Sequence, residues 1–322
     1  MNVFVTGGTG FVGAHLVRAL QQRGDRVTCL VRRPELAERL GWRDVRLVRG
    51  DLDDTGALLQ GCDGAELVFH VAGKVIAKNV GEFMATNRDG TANVLEAAEE
   101  HGVTRFVLVS SLAAAGPTTV GHPIDETRPP APVTDYGRSK LAAEVLVRAM
   151  PFPWTIVRPP VVYGEWDRAT LKIFQLARAP VAPVFGDGSQ ELSVIHAADL
   201  ARALVVAGTS PAAQGRVYFA SHSATTTSRG LLVACGHALG KTPRIVPIPA
   251  ALARAVLWTV GSLAHLAGRA TFLSADKANE YLAPAWTCRG DALTRDTGWR
   301  AEIDLEAGLA RTAAWYREVG WL

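Results

Sequence analysis

Short apolar runs alternate along this chain with longer stretches in which apolar positions recur at helical spacing. The runs fall at Asn2 to Thr6, Arg26 to Val31, Val45 to Val48, Glu66 to Val71, Arg105 to Val109 and Thr155 to Arg158. The first is followed by a helical pattern through Leu16, Val17 and Leu20, and a long helix is predicted to reach Glu100 through Asn87 and Leu95. Strand followed by helix, repeated, predicts an α/β fold with a doubly wound parallel sheet and right-handed crossovers. In such a sheet the ligand crevice lies at the carboxyl ends of the strands. The residues just past each apolar run are therefore where chemistry is expected.

Past the first run stands Thr6-Gly7-Gly8-Thr9-Gly10-Phe11-Val12-Gly13. Gly7, Gly10 and Gly13 are spaced to allow a tight turn, close approach of a pyrophosphate to the backbone, and packing of helix on strand. The helix start at Phe11 and Val12 adds free amides and a positive dipole end. Dinucleotide binding is the expectation. Past the second run, where an acid for the adenosine ribose of NAD is usual, stands Arg32 followed by Arg33. An arginine forms charge-assisted hydrogen bonds with a 2′-phosphate, so NADP is favoured, with NAD as the alternative. A solvated arginine pair on a loop is the plainer reading. Past the third run, Asp51 and Leu52 lie where a carboxylate can accept from an adenine amino group, unless Asp51 simply caps a helix. Past the fourth, the small Ala72-Gly73 lets the chain pass close to the cofactor.

Composition narrows the class without naming a reaction. The chain has 322 residues, 48% hydrophobic and 20% charged, with a net charge of +3 and no run of Lys or Arg. That is a globular protein with a sizeable core and no sign of a nucleic-acid groove. Four scattered cysteines with no CxxC predict neither a disulfide frame nor a metal site, and fit a reducing compartment. The apolar strand at the start has no basic segment before it, so a cytoplasmic protein is expected.

Tyr136 and Lys140 are four apart in a helical segment and share a face. An ammonium beside a phenol favours the phenolate, so a tyrosine pKa lowered from about 10 is expected there. The pieces TGGTGFVG, GDL, HVAG, NRDGTANVL, VLVSSLAAAG, YGRSK and RPPVVYG, in this order, resemble the extended short-chain dehydrogenase/reductase superfamily, which includes the NAD-dependent epimerase/dehydratase family. The chain is most similar to its 3β-hydroxysteroid dehydrogenase and dihydroflavonol reductase-like group. The resemblance implies a Rossmann-type domain and a Ser/Tyr/Lys site. Ser111 matches the serine that hydrogen-bonds the substrate oxygen, with Ser110 the alternative. Tyr136 matches the general acid/base, and Lys140 the residue that tunes it and holds the nicotinamide ribose. Asn87 matches a helix position that contacts the cofactor or only caps the helix, and Pro159 lies in the segment beside the nicotinamide carboxamide. A homodimer through the helices after Asn87 and Tyr136 is implied as well.

The expected division is a cofactor domain over 1–160 with return segments near 190–220, a substrate lobe over 161–189 and 221–300, and a closing helix in 301–322. His196 reads as structural and Asp199 as a helix cap. The apolar stretch Ala250 to Leu266 reads as a core helix or the wall of a greasy pocket, with interfacial membrane contact a third choice; Arg254 and His265 argue against a span. The primary expectation is an NADP-dependent oxidoreductase interconverting a ketone and a secondary alcohol on a largely apolar small molecule. A nucleotide-sugar epimerase or dehydratase is the alternative, supported by Phe185 to Gln190, and a cofactor-binding sensor without turnover is the third.

Overall fold

The computed structural model describes residues 1–322. The elements run β1 (Asn2–Thr6), α1 (Phe11–Gln22), β2 (Arg26–Val31), α2 (Glu35–Glu38), β3 (Val45–Arg49), α3 (Thr55–Cys62), β4 (Leu67–His70) and α4 (Val80–Met84). A π-helical turn (Ala85–Asp89) carries α4 straight into α5 (Gly90–Glu100), followed by β5 (Arg105–Val109), α6 (Leu112–Ala115), α7 (Asp135–Arg148) and β6 (Trp154–Arg158). Next come β7 (Val161–Tyr163), α8 (Arg168–Ala177), β8 (Val181–Phe185), β9 (Glu191–His196), α9 (Ala197–Thr209) and β10 (Arg216–Phe219). The rest is β11 (Thr225–Thr227), α10 (Ser228–Ala238), β12 (Arg244–Ile248), α11 (Ala250–Leu266), α12 (Ala275–Tyr281), β13 (Ala285–Trp286), α13 (Asp291–Thr297) and α14 (Leu305–Glu318).

Seven strands make one parallel sheet in the order β10-β6-β5-β4-β1-β2-β3, the Rossmann-type arrangement expected. Alternate residues of its strands bury on opposite faces. Val3, Val5, Val107 and Val109 pack with Leu16 and Leu20 of α1 and Leu200 and Leu204 of α9. Phe4, Phe106 and Leu108 pack with Leu58 of α3, Val94 of α5 and Val147 of α7 on the other face. Both faces are covered, which is why the strands read as continuous apolar runs. A third core, around Phe174, Trp286, Leu309 and Tyr316, belongs to the C-terminal half, where β9 pairs with β7, β11 and β13, and β8 pairs with β12.

The closing helix α14 is capped by Asp304, its carboxylate accepting from the Ala307 amide at 2.8 Å. Two local expectations change. The N-cap of α9 is His196, whose Nδ1 accepts from the Ala198 amide at 3.1 Å. Asp199 instead accepts from the Glu302 and Ile303 amides at 3.0 and 2.9 Å and so ties the segment before α14 to α9. The apolar stretch 250–266 is not a core helix: of α11 only Ala253 and Leu257 are buried. No helix is long and apolar enough to cross a membrane.

Candidate active site

The glycine turn joins β1 to α1. Gly7 has φ +73°, and a Cβ there would lie 2.5 Å from the Ala72 amide nitrogen. A Cβ on Gly13 would stand 2.1 Å from the Gly7 carbonyl oxygen. Neither position accepts a side chain, so helix, turn and the end of β4 lie in close contact. Gly10 donates to Gly7 at 3.0 Å and accepts from the Ala14 amide at 2.9 Å, while no backbone carbonyl takes the amides of Phe11, Val12 and Gly13. Three free donors at a helix N-terminus fit a diphosphate.

The exposed Arg32 follows β2 and shares an open cavity of about 340 Å³ with Arg49, Gly50, Asp51 and Asp54. Arg49 was not singled out in the sequence. It pairs in register with Val31, so Arg49 and Arg32 lie at adjacent strand ends and line the same cavity. Asp51 does not cap α3; that role falls to Asp54, which accepts from the Ala57 amide at 3.0 Å. One Asp51 oxygen accepts from the Asp53 amide at 3.0 Å and the exposed side chain faces the cavity. Leu52 packs under Gly90 of α5, and its carbonyl accepts from Asn93 at 2.8 Å.

At the end of β5 the two candidate serines diverge. Ser110 is buried and donates to Glu144 at 2.5 Å. Ser111 is the N-cap of α6, accepting from the Ala113 amide at 3.1 Å, and its hydroxyl lies near enough to Tyr136 to act on the phenol's pKa. Tyr136 lies in the first turn of α7, set by the Thr134 N-cap, with its ring 6.0 Å from that of Phe83 and 5.2 Å from the Lys277 ammonium of α12. Lys140 is buried and donates to the Val109 carbonyl at 2.6 Å. A Cβ on Gly73 would lie 3.5 Å from its Nζ and 3.1 Å from Asn87 Oδ1, so Gly73, Asn87 and Lys140 converge. Pro159 closes the row, its carbonyl accepting from the Leu112 amide at 2.9 Å.

The tyrosine pKa moves opposite to expectation. Burial pushes Tyr136 up to about 12; the nearby Ser111 hydroxyl opposes this and the Glu280 carboxylate adds to it. Lys140 is itself brought down to about 8, chiefly by burial, with Glu144 pulling the other way. Spacing alone shows that the two residues share a face; it does not show that both lose water.

Three buried networks hold these groups. Glu144 takes Arg158 through two hydrogen bonds of 2.8 and 2.6 Å, bracing α7 against β6. Asn87, in the π-helical turn, accepts from the Lys74 amide at 2.7 Å and donates to the Lys74 carbonyl at 2.9 Å and to Ser139 at 2.8 Å. Its polar atoms thus tie the loop after β4 to α7. His70 bridges Thr6 at 2.7 Å and Thr91 at 3.0 Å, and its pKa is lowered to about 3 by burial first and by Lys140 second. A folded-state pKa below the unfolded value of about 6.5 means that only the unfolded chain takes up this proton as pH falls below 6.5. Unfolding free energy should therefore drop by about 1.4 kcal/mol per pH unit from this group between pH 6.5 and its folded value. Urea midpoints at pH 7 and 5 check this: His70→Gln should flatten the dependence, and an identical slope in wild type and variant would contradict it.

Across the sheet the groups stand in strand order: Arg49 on β3, Arg32 after β2, the glycine turn after β1, Ala72-Gly73 after β4, Ser111 after β5 and Pro159 after β6. A sequence model described as the NAD dependent epimerase/dehydratase family matches residues 3–220. The chain belongs to that family. As a member of the extended short-chain dehydrogenase/reductase superfamily it is an NAD(P)-dependent oxidoreductase. It is 37% identical over 330 aligned residues to the ceramide reductase of Caulobacter vibrioides, covering 99% of this chain and 96% of that protein. It is 31% identical to the 4-hydroxy-2-methyl-3-oxo-4-farnesyl-3,4-dihydroquinoline-1-oxide ketoreductase of Stigmatella aurantiaca, covering 88% of this chain and 92% of that one. Among solved structures, gox2253 superposes with a TM-score of 0.82 at 25% identity, over 100% of this chain and 99% of that one. Within the family's fold, Lys277 and Phe83 against Tyr136 are features that no motif announces.

Proposed function

We propose that this family member reduces a ketone to a secondary alcohol on a lipid-like, largely apolar substrate, using NADPH. The observation that carries the reading is the gathering of Ser111 after β5 with Tyr136 and the buried Lys140 of α7, at the opposite end of the row from Arg32 and Arg49. In this assignment Gly7, Gly10, Phe11, Val12, Gly13, Ala72, Gly73, Pro159 and the Asp51–Leu52 segment line the dinucleotide, and Arg32 with Arg49 takes the 2′-phosphate. Bound NADPH supplies the hydride. Tyr136, a phenol protonated at neutral pH, donates its proton to the substrate oxygen. Ser111 donates a hydrogen bond to the same oxygen, and Lys140 orients the ribose. Asn87 acts by positioning Lys74 and Ser139.

The names of two relatives support the substrate class, one naming a ceramide and the other a farnesyl-bearing oxo compound. Four buried free cysteines fit a reducing, cytoplasmic setting. A homodimer through α5 and α7, where Val145 is 60% exposed, completes the reading.

The test is a panel of long-chain ketones and nucleotide sugars with added NADPH. Stoichiometric NADPH consumption with a ketone is expected; turnover of a nucleotide sugar without net NADPH consumption would contradict the assignment. For the cofactor, Arg32→Asp should weaken NADPH binding by about 10- to 100-fold, the loss of one charge-assisted contact, and leave NADH within about twofold. Isothermal titration with each nucleotide measures this, and equal losses for both would remove the 2′-phosphate assignment.

A further inference from the structure

Helix α11 turns its apolar side outward. Leu252, Val256, Leu263 and Leu266 are 55%, 40%, 62% and 83% exposed, and their spacing sets them in one stripe along the helix. Trp258, 64% exposed, flanks the stripe on the same side as Arg254 and His265. The opposite side is held to the protein by Ala253 and Leu257, and close packing at Gly261 leans the helix on Ser274 at the start of α12. Contiguous exposed apolar surface of this kind marks a contact.

We propose that α11 seats this protein on the surface of an anionic lipid bilayer. Charge selects that occupant. From Lys241 to Ala275 the chain carries Lys241, Arg244, Arg254 and Arg269 and no Asp or Glu. From Arg168 to Gly186 it carries Arg168, Lys172 and Arg178, again without an acid. The two stretches are neighbours: β8 pairs with β12, and the Lys172 ammonium sits 4.8 Å over the Phe272 ring, just past α11. These seven cations exceed the whole chain's net charge of +3, so the remainder of the molecule is acidic. Two copies facing each other through α11 would bring like charges together, whereas anionic headgroups neutralise them. An outward apolar stripe with a tryptophan and basic residues at its margin matches an interfacial helix lying in the plane of a bilayer, and α11 does not span one. Helix α12, on which α11 leans, places Lys277 over Tyr136, so the bilayer contact stands one element from the proposed catalytic tyrosine. The inference rests on the surface alone and does not depend on the substrate assignment.

Flotation of the full-length protein with phosphatidylcholine vesicles, with and without phosphatidylglycerol, tests it. Binding to the anionic vesicles is expected to exceed binding to neutral ones by about tenfold or more and to weaken as salt is raised. Trp258→Ser with Leu263→Ser should lower that binding by about tenfold or more while leaving NADPH oxidation with a water-soluble ketone unchanged. Arg254→Glu with Arg269→Glu should lower it similarly, with the same spared activity. Absence of binding by the wild-type protein would overturn the proposal. Binding indifferent to lipid charge, or unaffected by either pair of substitutions, would do so too. A self-association that Leu263→Ser dissolves, without vesicle binding, would assign the face to a second copy instead.

Discussion

Tyr136→Phe should lower kcat for ketone reduction by about 10²- to 10⁴-fold while changing the Kd for NADPH by no more than about threefold. The substitution removes one hydroxyl and keeps the ring, which packs near Phe83 and under Lys277. Cofactor binding is spared because the glycine turn and the arginine pair lie at other strand ends. Ser111→Ala should lower kcat less, since it removes a hydrogen-bond donor and leaves the acid in place. Stopped-flow NADPH oxidation with an active ketone reads both. A Tyr136→Phe enzyme as fast as wild type would show that another group delivers the proton.

Arg158→Met should cost about 3–5 kcal/mol of folding stability, a large share of the 5–15 kcal/mol usual for a domain. The Arg158 and Glu144 side chains are 2% and 0% exposed, and removing the guanidinium leaves a core carboxylate with the Ser110 hydroxyl as donor and only the longer 3.8 Å pairing to the half-exposed Arg148. The reciprocal pair Arg158→Met with Glu144→Leu should recover most of the loss, because the cost lies in the stranded charge rather than in the missing bond. Urea denaturation of the three variants measures the cycle; a single variant within about 1 kcal/mol of wild type would contradict it. Activity should fall with stability in the single variant. Glu144 lies on the helix that carries Tyr136 and Lys140, and Ser110 immediately precedes Ser111.

Features that depend on local order in the chain were legible in the sequence. Strands β1 to β6 of the parallel sheet were found within a residue or two of where they lie, because burial on both sheet faces leaves apolar runs bounded by turn residues. The glycine turn was legible because its three glycines fall between an apolar run and a helical pattern, with Gly13 packed on the Gly7 carbonyl inside the turn itself. What depends on neighbours distant in sequence was not. Arg49 is set beside Arg32 only by the β2–β3 register. Lys277 reaches Tyr136 across 141 positions, in the same way that Asp276 accepts from the Asp135 amide at 3.2 Å. The direction of the Tyr136 shift was missed because helical spacing shows which residues are neighbours and not how much water they lose. Helix α11 was misplaced for the converse reason: apolar composition suggested burial, yet most of its apolar side chains face outward.

The most direct measurement follows the hydride. NADPH deuterated at the transferring carbon is incubated with an active ketone, and the product is examined by mass spectrometry. One deuterium at the carbinol carbon of the alcohol, with one equivalent of NADP formed, is the result predicted. Product without the label, or an inverted stereocentre with the nucleotide pool unchanged, would contradict net reduction by this site.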